Sequence, residues 1–477
     1  MKEALLFDKS RPGHRAVSFP TVEGSIDLPV EHRRNAPAAL PEVSEIEIVR
    51  HFTRLSQANF SVDTHFYPLG SCTMKYNPKV NDQVAALPGF CNLHPLQPES
   101  QVQGALELMH QLELMLSEIC GMDSFTLQPA AGAQGELTGM LIIRAYHAAR
   151  GHPRHKVIVP ASAHGTNPSS ARLAGFQIIT LPNSDDGVLH PEQLEPLLDE
   201  DTAAIMLTNP NTLGIFEERI LDVAKMSHQK GVLLYYDGAN LNALLGLARP
   251  GDMGFDVVHI NLHKSFSTPH GGGGPGAGPV GVKKHLAEFL PGPRLKKNVD
   301  GLWNWNHDLP GSIGKVRSFH GNFGVLVRAY AYTRAHGLEG LRRISRAAII
   351  NANYIKEQLK DQFPAYADRP CMHECVLLAR HLKEAGITVR DVAKRILDYG
   401  FHSPTISWPI HDCLMIEPTE TESRETLDAF VEAMHRIARE IDREPYTLRS
   451  APHSMPVQRV DEVKAARELN LSYGCGC

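Results

Sequence analysis

Long apolar runs are missing from this 477-residue chain. No stretch approaches the ~18 consecutive apolar residues that a membrane-spanning helix needs. The opening, MKEALLFDKSRPGHRA, holds only a short apolar segment broken by charge, unlike the apolar core of a secretion signal. Cysteine is sparse: eight in the whole chain are too few for a disulfide scaffold. A cytoplasmic protein with reduced thiols is therefore expected. An excess of one charge is missing too. Lys+Arg of 48 against Asp+Glu of 53 leaves a formal charge of −5, so neither nucleic acid nor a membrane surface is expected as a partner. Metal-ligand spacing is poor. Cys371 and Cys375 in CMHEC, and Cys475 and Cys477 at the CGC end, each lack a second half, and no metal site is expected. No short repeat runs along the chain.

What is present is patterned. From residue 122 to 270, the apolar runs FTLQP, KVIVP, FQIITLP, AAIMLTNP, GVLLYYDG and FDVVHINLH alternate with helical segments such as GELTGMLIIRAYHAAR and ILDVAKMSHQKG. Continuous apolar strands between helices predict an α/β fold with a mostly parallel sheet covered on both faces. A long helical stretch, 323–359, leads to a second strand–helix–strand unit. There Thr388 and Asp391 form a capping-box pattern, and Gly400 stops the helix. The expected organisation is an arm over 1–65 that contacts a partner, a large domain over 66–330, a smaller C-terminal α/β domain over 331–445, and an irregular tail over 446–477.

Ligands of open α/β sheets sit beyond the carboxyl ends of the strands. Four runs deliver chemistry there: KVIVPASAH ends near His164, AAIMLTNP at Thr208 and Asn209, GVLLYYDGAN at Asp237, and FDVVHINLHK at Lys264. A lysine and an acid on one edge match pyridoxal 5′-phosphate (PLP) chemistry, in which the lysine forms a Schiff base and the acid partners the pyridinium nitrogen. Two unit charges ~4 Å apart at an effective dielectric of ~20 attract by about 4 kcal/mol. That keeps the ring nitrogen protonated. Taken alone, Asp237 also reads as a turn residue and Lys264 as a solvated one. The apolar strand before Lys264 and the glycines after it, Gly271–Gly274 with Gly276 and Gly278, favour the cofactor role.

The phosphate also needs a seat. LQPAAGAQGELTGMLIIRAY passes from a strand end through small residues, including Gly132 and Ala133, into a helix. Backbone N–H groups at a helix start bind phosphate. No Gly-Lys-Ser/Thr follows, so the turn is no P-loop, and taken alone it also reads as a tight strand-to-helix turn without a ligand. His164 could stack on the cofactor ring, though taken alone it reads equally as a satisfied loop histidine, and Ala239 is small enough to press on the other ring face.

The motifs PLGSCTMKYNP, LQPAAGAQGE, SAHGTNPSSA, DGANLNA, NLHKSFSTPHGGGGPGAGPVGV, GLEGLRRISRAAIINANYI, DVAKRILDYGFHSPTISWP and MIEPTETES run in order from 66 to 423. Together they resemble glycine decarboxylase, the P-protein of the glycine cleavage system. The resemblance implies a PLP-dependent fold-type I enzyme and covers the cofactor-bearing C-terminal half of that family, as in subunit 2 of the two-subunit bacterial form. It implies a separate subunit 1, an α2β2 tetramer, glycine as substrate, and transfer of the aminomethyl group to lipoylated H-protein. It carries over Lys264 as the Schiff-base lysine, His263 as its neighbour, Asp237 to the ring nitrogen and His164 to stacking. Gly132 and Ala133 fall in the phosphate turn, and Thr208 and Asn209 beside the cofactor. The alternatives are another fold-type I enzyme, an aminotransferase or amino-acid decarboxylase, and a non-catalytic scaffold subunit.

Overall fold

The runs that read as buried strands form one seven-stranded sheet in a computed structural model describing residues 3–20, 24, 28–36, 38–270 and 276–471. Gly271–Gly274 and the terminal Cys475 and Cys477 lie outside the described residues. The strands are β1 (Ser124–Thr126), β2 (Lys156–Pro160), β3 (Gln177–Leu181), β4 (Thr202–Leu207), β5 (Leu233–Gly238), β6 (Val257–Ile260) and β7 (Val280–Val282). Their spatial order is β1-β7-β6-β5-β4-β2-β3. β2 to β6 run parallel, and β7 lies antiparallel between β6 and β1.

Every residue of β4, β5 and β6 is buried, which is why these strands read as unbroken apolar runs. Alternation then divides them between two cores. Leu234, Tyr236, Val258 and Ile260 face one core with Leu112 and Leu116 of the helix Gln103–Cys120. Leu233, Tyr235 and Val257 face the other, with Met140 and Ile143 of the helix Gly132–Ala149. Gly121, in the left-handed region at φ 68°, ends the first of these helices as its position suggests.

After the hairpin of β8 (Arg294–Lys297) and β9 (Trp303–Asn306), the helical stretch Phe323–Leu359 crosses to a second unit. The sequence suggests one continuous helix. The structure breaks it at Gly337, whose φ of 58° and ψ of −174° are not helical. The second unit holds β10 (Cys375–Leu378), β11 (Thr405–Ile406) and β12 (Cys413–Ile416) in the antiparallel order β10-β12-β11. The helices Val389–Asp398 and Arg424–Arg443 cover it, around Leu377, Val392, Ile396, Leu414, Phe430 and Met434. The capping box forms: Asp391 Oδ2 accepts from Thr388 N–H at 2.8 Å and Thr388 Oγ1 accepts from Asp391 N–H at 3.3 Å.

The tail is less irregular than its sequence suggests. Pro445–Ser450 and Glu462–Arg467 are short helices, and Arg459 ties the segment between them to Asp391 at 2.5 Å. No helix of the described residues is long and apolar enough to cross a membrane.

Candidate active site

The carboxyl ends of β2, β4, β5 and β6 open on one cavity of about 540 Å³, within the usual range for a small-molecule site. His164, Thr208, Asp237, Ala239, His263 and Lys264 line it, together with Gly132 and Ala133 from the start of the helix Gly132–Ala149. Two walls come from elsewhere in the chain. Ser71 reaches in from the segment before the large sheet, and His373 and Glu374 from the residues just before β10.

Asp237, the fifth residue of β5, is buried with its carboxylate fixed on two sides. Oδ2 accepts from Asn167 Nδ2 at 2.8 Å and Oδ1 from the Ala239 N–H at 3.1 Å. His259 stands behind it, Nε2 3.3 Å from Oδ1, with Nδ1 2.7 Å from Tyr235 Oη. Burial pushes the His259 imidazole down, against the pull of Asp237. Glu136 is the second acid of this corner. Burial first, and the Asp237 charge next, push its carboxyl up to about 8. It accepts from Thr166 Oγ1 at 2.7 Å and Ser170 Oγ at 3.0 Å. Thr166 Oγ1 in turn lies 2.6 Å from His164 Nδ1. The His164 ring meets Trp408 of the second unit edge-on, centroids 5.8 Å apart.

Lys264 follows β6 and donates from Nζ to the Ser71 carbonyl at 2.6 Å. Around it the imidazoles are held neutral. Burial, then Lys264, pushes His263 down to about 4 and His373 to about 3.

The helix start is open because residue 132 has no side chain: a Cβ there would lie 2.5 Å from Asn261 Oδ1. Asn261 Oδ1, His270 Nδ1 and His373 Nδ1 are buried with no hydrogen-bond partner in the protein, and all three residues face the cavity. Buried polar atoms without partners are costly, so their convergence on one polar cavity fits a ligand with several acceptors and donors. An aldehyde-reactive amine, a fixed acid and a glycine-opened helix start suit PLP.

One predicted site residue is placed elsewhere. Asn209 is fully buried and turned from the cavity: its Oδ1 accepts from the Glu217 N–H at 2.9 Å and its Nδ2 lies 3.8 Å from Met253 Sδ. Its amide satisfies the turn after β4 rather than a ligand. Sequence reasoning missed Ser71, Glu136, Asn167, Asn261, His270, His373 and Glu374. The signal for Glu136 and Asn167 was at hand, since both lie within the quoted motifs beside Gly132 and His164. Cys371 is buried, its thiol pushed up to about 12 by burial first, so it is an unionised core thiol.

Comparison with known proteins identifies the family and the fold. The family profile described as "Glycine cleavage system P-protein" matches residues 20–300, and "Glycine dehydrogenase, C-terminal domain" matches 344–453. A protein of Caldanaerobacter subterraneus subsp. tengcongensis named "Probable glycine dehydrogenase (decarboxylating) subunit 2" is 56% identical over 472 residues, 97% of each chain. Its namesake in Halalkalibacterium halodurans is 55% identical over 479 residues, 99% of this chain and 98% of that one. Among solved structures, an inhibitor-bound glycine decarboxylase (P-protein) of the glycine cleavage system superposes with a TM-score of 0.72 at 23% identity, covering 86% of this chain and 93% of that one. The apo cysteine desulfurase of Thermococcus onnurineus NA1 superposes with a TM-score of 0.62 at 15% identity, over 79% and 95%. These likenesses place the fold among the PLP fold-type I enzymes.

Proposed function

The chain belongs to the glycine cleavage system P-protein family, and we propose from that premise that it is the PLP-bearing subunit of a two-subunit glycine dehydrogenase (decarboxylating). It takes CO2 from glycine and passes the remaining aminomethyl group to the lipoyl disulfide of an H-protein. The observation that carries the reading is a single cavity lined by both Lys264 and Asp237, beside a helix start opened by Gly132.

Lys264 would hold PLP through its aldehyde carbon and Asp237 through its ring nitrogen. His164 and Ala239 would pack against the ring, Thr208 and His263 would border it, and Gly132 and Ala133 would seat the phosphate. When bound, PLP supplies a ring that accepts the electron pair released at the substrate carbon. The protein's own residues set the conditions. Asp237 is oriented by Asn167 and Ala239, so its charge points where an N–H must sit. His263 and His373, uncharged near neutrality, offer hydrogen bonds without adding positive charge beside Lys264. Among the described residues lining the cavity, Lys264 is the one lysine or arginine. An arginine clamp would stabilise a substrate carboxylate in its ground state, which slows a carboxylate that must leave as CO2. This favours decarboxylation over transamination.

Subunit 1 is the partner that the relatives' naming as subunit 2 implies, and the proposed assembly is an α2β2 tetramer. The helix Glu45–Gln57 supports a docking role for the N-terminal arm, because Ile46, Val49 and Phe52 are exposed on it at helical spacing.

The test is Lys264→Ala, mixed with subunit 1 and lipoylated H-protein. It is expected to lose the visible absorption of the purified protein and the exchange of labelled bicarbonate into glycine. Retention of both would sink the assignment.

A further inference from the structure

Two buried carboxyl groups that the preceding reading leaves unused converge on the carbonyl holding the Lys264 amine. The segment Leu69–Lys75 runs against the end of β12: Leu69 bridges Ile416, and the Gly70 N–H donates to the Met415 carbonyl at 3.3 Å. It then turns sharply. Ser71 has φ 68° and Thr73 φ 45°, the left-handed region that non-glycine residues avoid. Each of these residues is gripped by an acid of the C-terminal unit. Glu374 Oε2 accepts from the Ser71 N–H at 2.8 Å. Glu417 accepts from the Thr73 N–H at 3.2 Å and from Thr73 Oγ1 at 2.7 Å. Asn240, three residues past Asp237, donates to both oxygens of Glu417 at 3.0 Å. Between the two grips, the Ser71 carbonyl receives Lys264 Nζ at 2.6 Å. The two acids are 3% and 0% exposed, and an oxygen of each lies within 4.8 Å of the other and of a His373 nitrogen.

We propose that Glu374 and Glu417 are positioning residues for Lys264. They hold Ser71–Thr73 in its left-handed turn, so that the Ser71 carbonyl fixes the amine. Burial is the main cause that pushes Glu374 up to about 8 and Glu417 to about 7, so both change charge across the neutral range. Other groups face the same amine. Glu136 and Asp237 share its cavity, and Cys72 lies on the gripped segment, its thiol pushed up by burial. His164, His259, His263, His270 and His373 are all pushed down by burial, which leaves the acids as the groups whose charge varies.

The inference rests on Lys264 being the amine that takes the cofactor, yet its test reads the amine itself. The full-length chain, freed of cofactor, is labelled with trace acetic anhydride at about pH 9. Incorporation at Lys264, relative to the chain's exposed lysines, is then read by peptide mass mapping. In the parent, Lys264 is expected to label more slowly than those lysines, because its amine is held by the Ser71 carbonyl. Glu374→Ala and Glu417→Ala, checked for native circular dichroism, are expected to raise the ratio several-fold by releasing the turn, whereas Glu374→Gln, which keeps an acceptor for the Ser71 N–H, is expected to keep the parent ratio. A parent ratio in both alanine variants overturns the proposal. So does a parent Lys264 that labels as fast as the exposed lysines, whether or not the variants fold. If Lys264→Ala keeps its colour, the functional reading fails while the labelling result stands.

Discussion

Gly132 shows how little room a single residue has at the site. A Cβ there would press on Asn261 Oδ1, the end of a side chain that can give way, so the fold should tolerate Gly132→Ala. The proposed phosphate seat should not. Cofactor affinity is expected to fall about tenfold or more, equivalent to ~1.4 kcal/mol, in a spectral titration of the cofactor-free chain; unchanged affinity would remove Gly132 from the seat. Lys75 is the converse case, a charge enclosed by the protein. Its Nζ donates to Glu420 Oε1 at 2.7 Å, the Ser265 carbonyl at 2.8 Å, Asn242 Oδ1 at 3.1 Å and Tyr332 Oη at 3.2 Å. Lys75→Met strands the Glu420 charge. The expected loss is about 3–5 kcal/mol, measured by urea unfolding, and a loss near zero would show that Glu420 finds other partners. That Lys264 and Asp237 would line one cavity was legible because a polar side chain closing an apolar run stands out. Asn209 stood out in the same way and proved to serve its own turn. Glu374 and Glu417 flank β10 and β12 just as visibly, but their targets lie 303 and 344 positions away, and no local pattern encodes such a pairing.

Among the elements, the buried strands were the most readable, because β4 to β6 are buried throughout, mostly apolar and bounded by turn residues. The long helix was readable in extent but not in its break. Gly337 sits in a region of backbone space that is essentially reserved for glycine, and nothing lies within 4 Å of a Cβ added there. Its cost to another residue is therefore conformational alone. Gly337→Ala is expected to destabilise by about 1–3 kcal/mol, seen as a lower urea midpoint with an unchanged slope. An unaltered midpoint would mean that the helix runs straight through at no cost. The tail was misread for a different reason: its two helices are short, and the tether from Arg459 to Asp391 is tertiary.

At the scale of the whole molecule, the buried titratable groups oppose one another. Glu136, Glu374 and Glu417 are pushed up to about 8, 8 and 7, whereas an unfolded glutamate titrates near ~4.3. Their stabilising contribution is complete below the unfolded value and is lost as pH rises through 7 to 8. His263 and His373, pushed down to about 4 and about 3, act in reverse. Their contribution is complete above ~6.5 and is lost as pH falls through those values. Above ~6.5 these acids still change, as do Glu113 and Glu422, both pushed up to about 7 by burial, and Glu217, pushed up by burial; all act in the same direction, so the cofactor-free chain is expected to lose stability between about pH 6.5 and 8.5. Urea midpoints across that interval check this; a flat or rising series would contradict it.

The bracing of Ser71 and Thr73 by Glu374 and Glu417 also fixes an order of events during synthesis. A ribosome that has just released Lys264 has yet to make either brace, and the amine's seat is incomplete until β12 and the residue after it emerge. If Lys264 takes the cofactor as proposed, half-made chains would lack the setting for capturing a reactive aldehyde, and loading with cofactor would be a late step that follows translation of the C-terminal unit.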